Sequence, residues 1–217
     1  MPYCSDCVKK GCRFGTLEKP PKECPTVGAT SEESIGRYTE EELRNARWAA
    51  IAEAESWDEK YTRVEDIMNY AYLCGYHRLG VAFCSGFTKE AATLVKILRK
   101  NGFEVHSAMC KNESCSKDHL DVPADKRIHP GEYEPMCNPA GQAHALDKAG
   151  CQLNIVLGLC VGHDTLFFKH SEAPVTVLAS KDRALGHNPI MALYTADSYY
   201  PRVYDFIKNR YGRKDEE

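Results

Sequence analysis

Cysteine is the residue type that gives this chain its chemistry. Two stretches share one pattern, an apolar run, then Cys, any residue, Gly, any residue, and Thr or Asp. They are "GVAFCSGFTKE" around Cys84 and "IVLGLCVGHD" around Cys160. A third apolar run, "FEVHSAMC", ends on Cys110, and Cys137 opens "CNPAGQAHALDKAG". Thiolates are nucleophiles and soft metal ligands, and sets of four hold iron–sulfur clusters or zinc. The N-terminus carries a second set, Cys4-x2-Cys7-x4-Cys12-x11-Cys24-Pro25. Two cysteines with two residues between them can put two thiolates on one metal. Four such ligands complete a tetrahedral zinc or a [4Fe–4S] site.

The chain has 11 cysteines in 217 residues. The odd count argues against a purely disulfide framework. "MPYCSDCVKK" has no apolar signal-peptide core, so a cytoplasmic location is expected. There, clustered cysteines bind metal or do redox work more often than they pair. Cys74 and Cys151 read as packing residues, and Cys115, in a polar stretch, as an alternative ligand. Other readings of Cys84 fail on spacing. A phosphatase-type loop needs Arg where Glu90 stands, a Cys-x-x-Cys motif needs Cys where Phe87 stands, and one glycine in "CSGFTKE" is no dinucleotide fingerprint.

Around these thiols the sequence lays out alternating strands and helices. Thr39 and Glu42 form a capping box ahead of "EEELRNARWAAIAEAES". A second helix is expected over 63–76. Strands are expected over Leu79–Cys84, Phe103–Cys110, Leu153–Cys160 and Pro174–Ser180. Helices are expected over Thr88–Gly102, over Cys137–Gly150, from an Asp164 N-cap and at the C-terminus. Residues 111–135 lack periodicity and read as a functional or mobile loop. Alternation of this kind implies a parallel sheet covered on both faces. If the third strand returns to the far side of the first, the order is 2-1-3-4. The expected fold is a three-layer, Rossmann-like α/β domain over 31–217, preceded by a cysteine-rich metal-binding segment over 1–30.

In that order Cys84, Cys110 and Cys160 end neighbouring strands about 4.8 Å apart, at the rim where open α/β sheets bind ligands. Cys137 starts a helix at the same rim and completes the set. A buried cysteine alone is merely a small hydrophobe; three at equivalent strand ends make a site. His163 is a further ligand or outer donor. The loop "KDRALGHNP" supplies Asp182, Arg183, His187 and Asn188 as substrate contacts, and His163 and His187 suit proton transfer near neutral pH.

"MCNPAGQA", "LNIVLGLCVGHDTLFFKHSEAPVTVLASKDRALGHNP" and the N-terminal cysteines together resemble an uncharacterised prokaryotic family of cysteine-rich, predicted metal-binding proteins, found mostly in anaerobic bacteria and archaea. The resemblance covers nearly the whole chain. It implies metal binding and supplies no reaction.

Composition narrows the partners. Net charge is −3 and the isoelectric point about 6.3, which disfavours nucleic acid. The apolar runs are too short to span a bilayer. The expected cofactor is a [4Fe–4S] cluster, with zinc as the alternative. The expected partners are a small-molecule substrate or a redox partner. An open cluster would suit sulfur abstraction, dehydration or reduction. A non-enzymatic metal or Fe–S carrier, a redox sensor, a structural zinc protein or a reversible cysteine pair would use the same residues.

Overall fold

A computed structural model describes residues 4–15, 20–22, 24–58 and 60–212. The chain divides into two compact units, Met1–Ile51 and Ala52–Glu217. In the first, two short 3-10 turns, Cys4–Asp6 and Gly11–Phe14, carry Cys4 and Cys12, two of the four N-terminal cysteines. Helix α1 (Ser31–Ile35) follows, with a capping box between Thr30 and Glu33. Helix α2 (Glu40–Ser56) runs from one unit into the other. Its expected box is present: Glu42 N–H donates to Thr39 Oγ1 at 3.2 Å, and Thr39 N–H donates to Glu42 Oε2 at 2.7 Å. The next helix, α3 (Arg63–Leu73), starts from a third box between Thr62 and Glu65.

The second unit holds a four-stranded sheet in the order β2-β1-β3-β4. Its strands are β1 (Arg78–Phe83), β2 (Glu104–Met109), β3 (Leu153–Leu157) and β4 (Val175–Ala179). Every pairing is parallel. The central strands show why a near-continuous apolar run reads as a strand buried on both faces: Leu79, Val81 and Ala82 of β1 and all five residues of β3, the polar Asn154 among them, are buried. β2, at an edge, is less covered, burying only Val105 and Ala108.

Three helices connect the strands: α4 (Thr88–Lys100), α5 (Pro139–Lys148) and α6 (His163–His170). The chain moves from β1 out to β2, then back past β1 to β3. Right-handed crossovers therefore put α4 on one face and α5 and α6 on the other, where α5 and α6 pack together. The expected α/β architecture and strand order are those observed.

Several boundaries differ from expectation for physical reasons. β3 stops at Leu157, three residues before Cys160. Gly158 takes φ +68°, and the Phe87 ring stands where its side chain would be, with Cε2 2.1 Å from an ideal Cβ. Only glycine fits there. The helix after Cys160 is capped by Gly162, and Asp164 lies in its first turn. Residues 111–135 fold through three 3-10 turns and an antiparallel bridge between Ser116 and Pro135. Buried Glu134 organises that loop, accepting from the Ile128 and His129 amides and pairing with Lys117. A four-residue helix, α7 (Met191–Tyr194), follows the sheet. The C-terminal helix is broken into a 3-10 turn at Pro201–Val203 and α8 (Phe206–Tyr211). Among the described residues no helix is long and apolar enough to cross a membrane.

Candidate thiol centre

The ladder of backbone hydrogen bonds continues past the strand ends and fixes the cysteines one after another. Cys84 N–H donates to Leu157 O at 3.2 Å, and Cys110 N–H donates to Phe83 O at 2.9 Å. Asn138 N–H then donates to Cys110 O at 2.8 Å, which draws Cys137 alongside. On the other flank Gly158 N–H donates to Ala179 O at 2.7 Å, and Lys181 N–H to Leu159 O at 3.2 Å. Segments far apart in sequence thus lie side by side at one edge of the sheet.

Their sulfurs make contact. The Cys84 thiol hydrogen-bonds to Cys110, and Cys110 hydrogen-bonds to Cys137. The directions of the shifts assign donor and acceptor. Donation to Cys110, then burial, pushes the Cys84 thiol up to about 12. Donation from Cys110, assisted by the Lys111 ammonium, holds Cys137 down at about 6. Cys110 thus bears on both neighbours, raising Cys84 and lowering Cys137. Cys160 is near enough to Cys137 to act on its charge. Cys84 and Cys110 are buried, whereas Cys137 and Cys160 are half-buried.

N–H groups face these sulfurs. Ser85 N–H donates to Cys110 Sγ at 3.3 Å, the Gly86 amide hydrogen-bonds Cys84, and Arg183 Nη2 lies 3.8 Å from Cys160 Sγ. Gln142 ties the strands beneath. Fully buried on α5, it donates through Nε2 to Ala108 O at 2.7 Å and Phe83 O at 3.2 Å, just before Cys110 and Cys84.

The polar candidates divide. Burial, then the Lys111 charge, lowers the pKa of half-buried His163, so its imidazole stays neutral near pH 7. His187 packs on Phe87, ring centroids 4.5 Å apart. Its Nδ1 accepts from Asp182 N–H at 3.1 Å, which places the ring proton on Nε2. The Asp182 carboxylate is turned into its own loop, accepting from the Ala184 and Leu185 amides at 2.9 Å each. Asn188 is an exposed turn residue. Lys111, Lys181 and Gln142 had no sequence signal beyond their places next to Cys110, after β4 and after Cys137.

The N-terminal cysteines are exposed or half-buried. Lys10 N–H donates to Cys7 Sγ at 3.4 Å, and a hydrogen bond with Thr26 lowers the Cys24 pKa. Cys115 is half-buried in the 111–135 loop. Among the described residues no three or more His, Cys, Asp or Glu side chains surround one point as a closed metal site requires.

Comparison with known proteins adds kinship without a reaction. No solved structure matches the chain. An uncharacterised protein of the archaeon Methanocaldococcus jannaschii is 44% identical over 198 residues, covering 91% of this chain and 95% of that protein. The model of a family described as "Protein of unknown function (DUF1847)" matches residues 24–178, a span that contains Cys84, Cys110, Cys137 and Cys160. On the strength of that match and that relative, the chain belongs to the DUF1847 family.

Proposed function

We propose that the rim cysteines Cys84, Cys110, Cys137 and Cys160 form a thiolate metal centre, iron–sulfur or zinc, that acts on or delivers to a small molecule. The observation that carries this reading is the gathering of cysteines from separate elements at one edge of the sheet, faced by N–H donors. The donor set fits a soft metal. Sulfur is its only ligand type, one member already leans to thiolate, and amide N–H groups are what stabilise the charge of bound thiolates. Two thiolates on a tetrahedral ion with bonds of about 2.3 Å stand about 3.8 Å apart, close to the spacing of hydrogen-bonded thiols.

When bound, an iron centre supplies electron transfer or an open coordination position, and zinc supplies a Lewis acid or a structural tie. The residues of the chain do the rest. Lys111 and the amides of Ser85 and Gly86 balance negative charge, and neutral His163 stands ready to accept a proton. In the N-terminal unit, Cys4, Cys7, Cys12 and Cys24 are the ligands of a second, structural or electron-relay site on this reading.

The contact between Cys110 and Cys137 favours one further reading, a reversible dithiol. There the Cys137 thiolate attacks one sulfur of a disulfide partner, and the other sulfur leaves as a thiol. Cys110 then displaces the first, leaving a Cys110–Cys137 disulfide and two partner thiols.

The test is iron, zinc and sulfide analysis with absorption spectroscopy on anaerobically purified full-length protein, Cys110→Ser and Cys7→Ser. Two cubanes would give about eight irons per chain, and each variant would lose one of the two centres. Zinc in colourless protein selects the other metal. Metal-free protein with two fewer titratable thiols after mild oxidation selects the dithiol. A metal content unchanged by Cys110→Ser removes the rim centre.

A further inference from the structure

The loop after β4 brings two cations over the thiols. Lys181 Nζ lies 4.5 Å above the centroid of the Phe87 ring. Gly86 leaves room for it, since a Cβ there would stand 3.0 Å from the ammonium. The exposed Arg183 guanidinium reaches Cys160 Sγ at 3.8 Å. His187, stacked on the same Phe87 ring, holds its proton on Nε2 because Nδ1 accepts from the Asp182 amide. Phe87 is itself locked over Gly158, so the Lys181 ammonium and the His187 ring sit against one buried ring, while Arg183 stands at Cys160.

The nearby carboxylates are all engaged elsewhere. Asp182 accepts from Ala184 and Leu185 N–H, Asp164 from Gly162 and Thr165 N–H, and Glu113 from the Asn138 amide. Among the described residues neither Lys181 nor Arg183 makes an ion pair. A half-buried ammonium and a guanidinium that form no ion pair, beside an imidazole N–H, are the fittings of an oxyanion site.

We propose that Lys181, Arg183 and His187 Nε2–H bind a small oxyanion, the carboxylate or phosphate of the substrate, and hold it beside Cys160 and Cys84. This names the substrate class of the thiol centre and rests on reading the rim as the functional site, but not on which metal the rim holds. The guanidinium fork takes two oxygens, the ammonium a third contact, and the rest of the molecule lies over the sulfurs.

The experiment is calorimetric titration of full-length, anaerobically purified protein with inorganic phosphate and, separately, with malonate, at fixed ionic strength. Metal content is measured on the same samples. We expect saturable one-site binding of at least one probe in the millimolar range or tighter. Lys181→Met and Arg183→Met should each weaken it by about tenfold or more, the loss expected of a charge-assisted hydrogen bond. Lys126→Met, a solvent-exposed lysine 72% accessible, should leave it unchanged. Preference for phosphate or malonate selects the source of the oxyanion. Binding by metal-free protein supports this proposal while removing the metal reading. Absence of saturable binding by either probe overturns it, as does binding retained in both variants. So does loss of metal from both variants in a protein whose wild type binds neither anion, because the cations then serve the charge of the centre.

Discussion

The amide of Asn138 donates to the carbonyl of Cys110 at 2.8 Å, and through that bond Cys137 is brought against Cys110. The same Asn138 caps α5 through Oδ1 on Gly141 N–H at 2.9 Å and donates through Nδ2 to Glu113 Oε2 at 2.7 Å. One residue therefore aligns the helix start, the 111–135 loop and the thiol pair.

Cys137 in reduced, metal-free protein should react with iodoacetamide along a pH profile whose midpoint is about 6. Cys110→Ala removes the donor, and the midpoint should climb towards the ordinary thiol range of about 8.5. Lys111→Met should raise it by less. The check is mass-spectrometric quantification of the alkylated Cys137 peptide against pH.

Stability should follow the same shift. A thiol ionising at about 6 when folded, and in the ordinary range when unfolded, adds stability that is complete above the unfolded value. That stability disappears as the pH falls through about 6. Cys84, pushed up to about 12, has the opposite sign: its contribution is complete below the ordinary thiol range and is lost as the pH rises towards the folded value. Between pH 6 and 8 the urea midpoint of metal-free wild type should therefore rise relative to Cys137→Ser. Parallel curves for the two proteins would contradict the assignment.

Gly158→Ala should destabilise the fold by about 2–4 kcal/mol, through a forced clash with Phe87 added to left-handed strain. Gly162→Ala, also at positive φ (+87°) but with nothing within 4 Å of the new Cβ, should cost only the strain, about 1–2 kcal/mol. Urea denaturation of both variants measures the difference.

Gln142→Leu should cost about 1–3 kcal/mol, because the Ala108 and Phe83 carbonyls lose their side-chain donor. It should also lower the metal content, since Cys84 follows Phe83 directly and Cys110 follows Ala108 by two residues. Denaturation and metal analysis on one preparation test both effects.

Glu134→Ala should loosen the 111–135 loop without unfolding the sheet. It orphans Lys117 and two backbone amides, and limited trypsin digestion should then cut after Lys126 or Arg127 faster than in wild type.

The sheet was legible in the sequence because its central strands are dominated by apolar runs, "GVAF" and "IVL", and a third strand returning to the far side of the first gives the order 2-1-3-4. From that order the sequence leads to the expectation that Cys84, Cys110 and Cys160 gather at one rim, with Cys137 completing the set. The end of β3 was concealed by Leu159, which is buried beyond the strand and prolongs the apolar run past the turn at Gly158. The 111–135 loop was opaque because side-chain-to-backbone bonds from Glu134 and Ser116 hold it, and these have no period. Lys111 and Lys181 were missed because a lysine is unremarkable in sequence; only the carbonyls and rings that place them make them part of the site.

Metal-edge X-ray absorption on an anaerobically purified Cys4→Ser/Cys7→Ser double variant, in which only the rim should carry a complete ligand set, tests the central claim most directly. The account predicts a first shell dominated by three or four sulfurs at about 2.3 Å, lost on further replacement of Cys110. A shell of oxygen and nitrogen, or no bound metal in that variant, would contradict it.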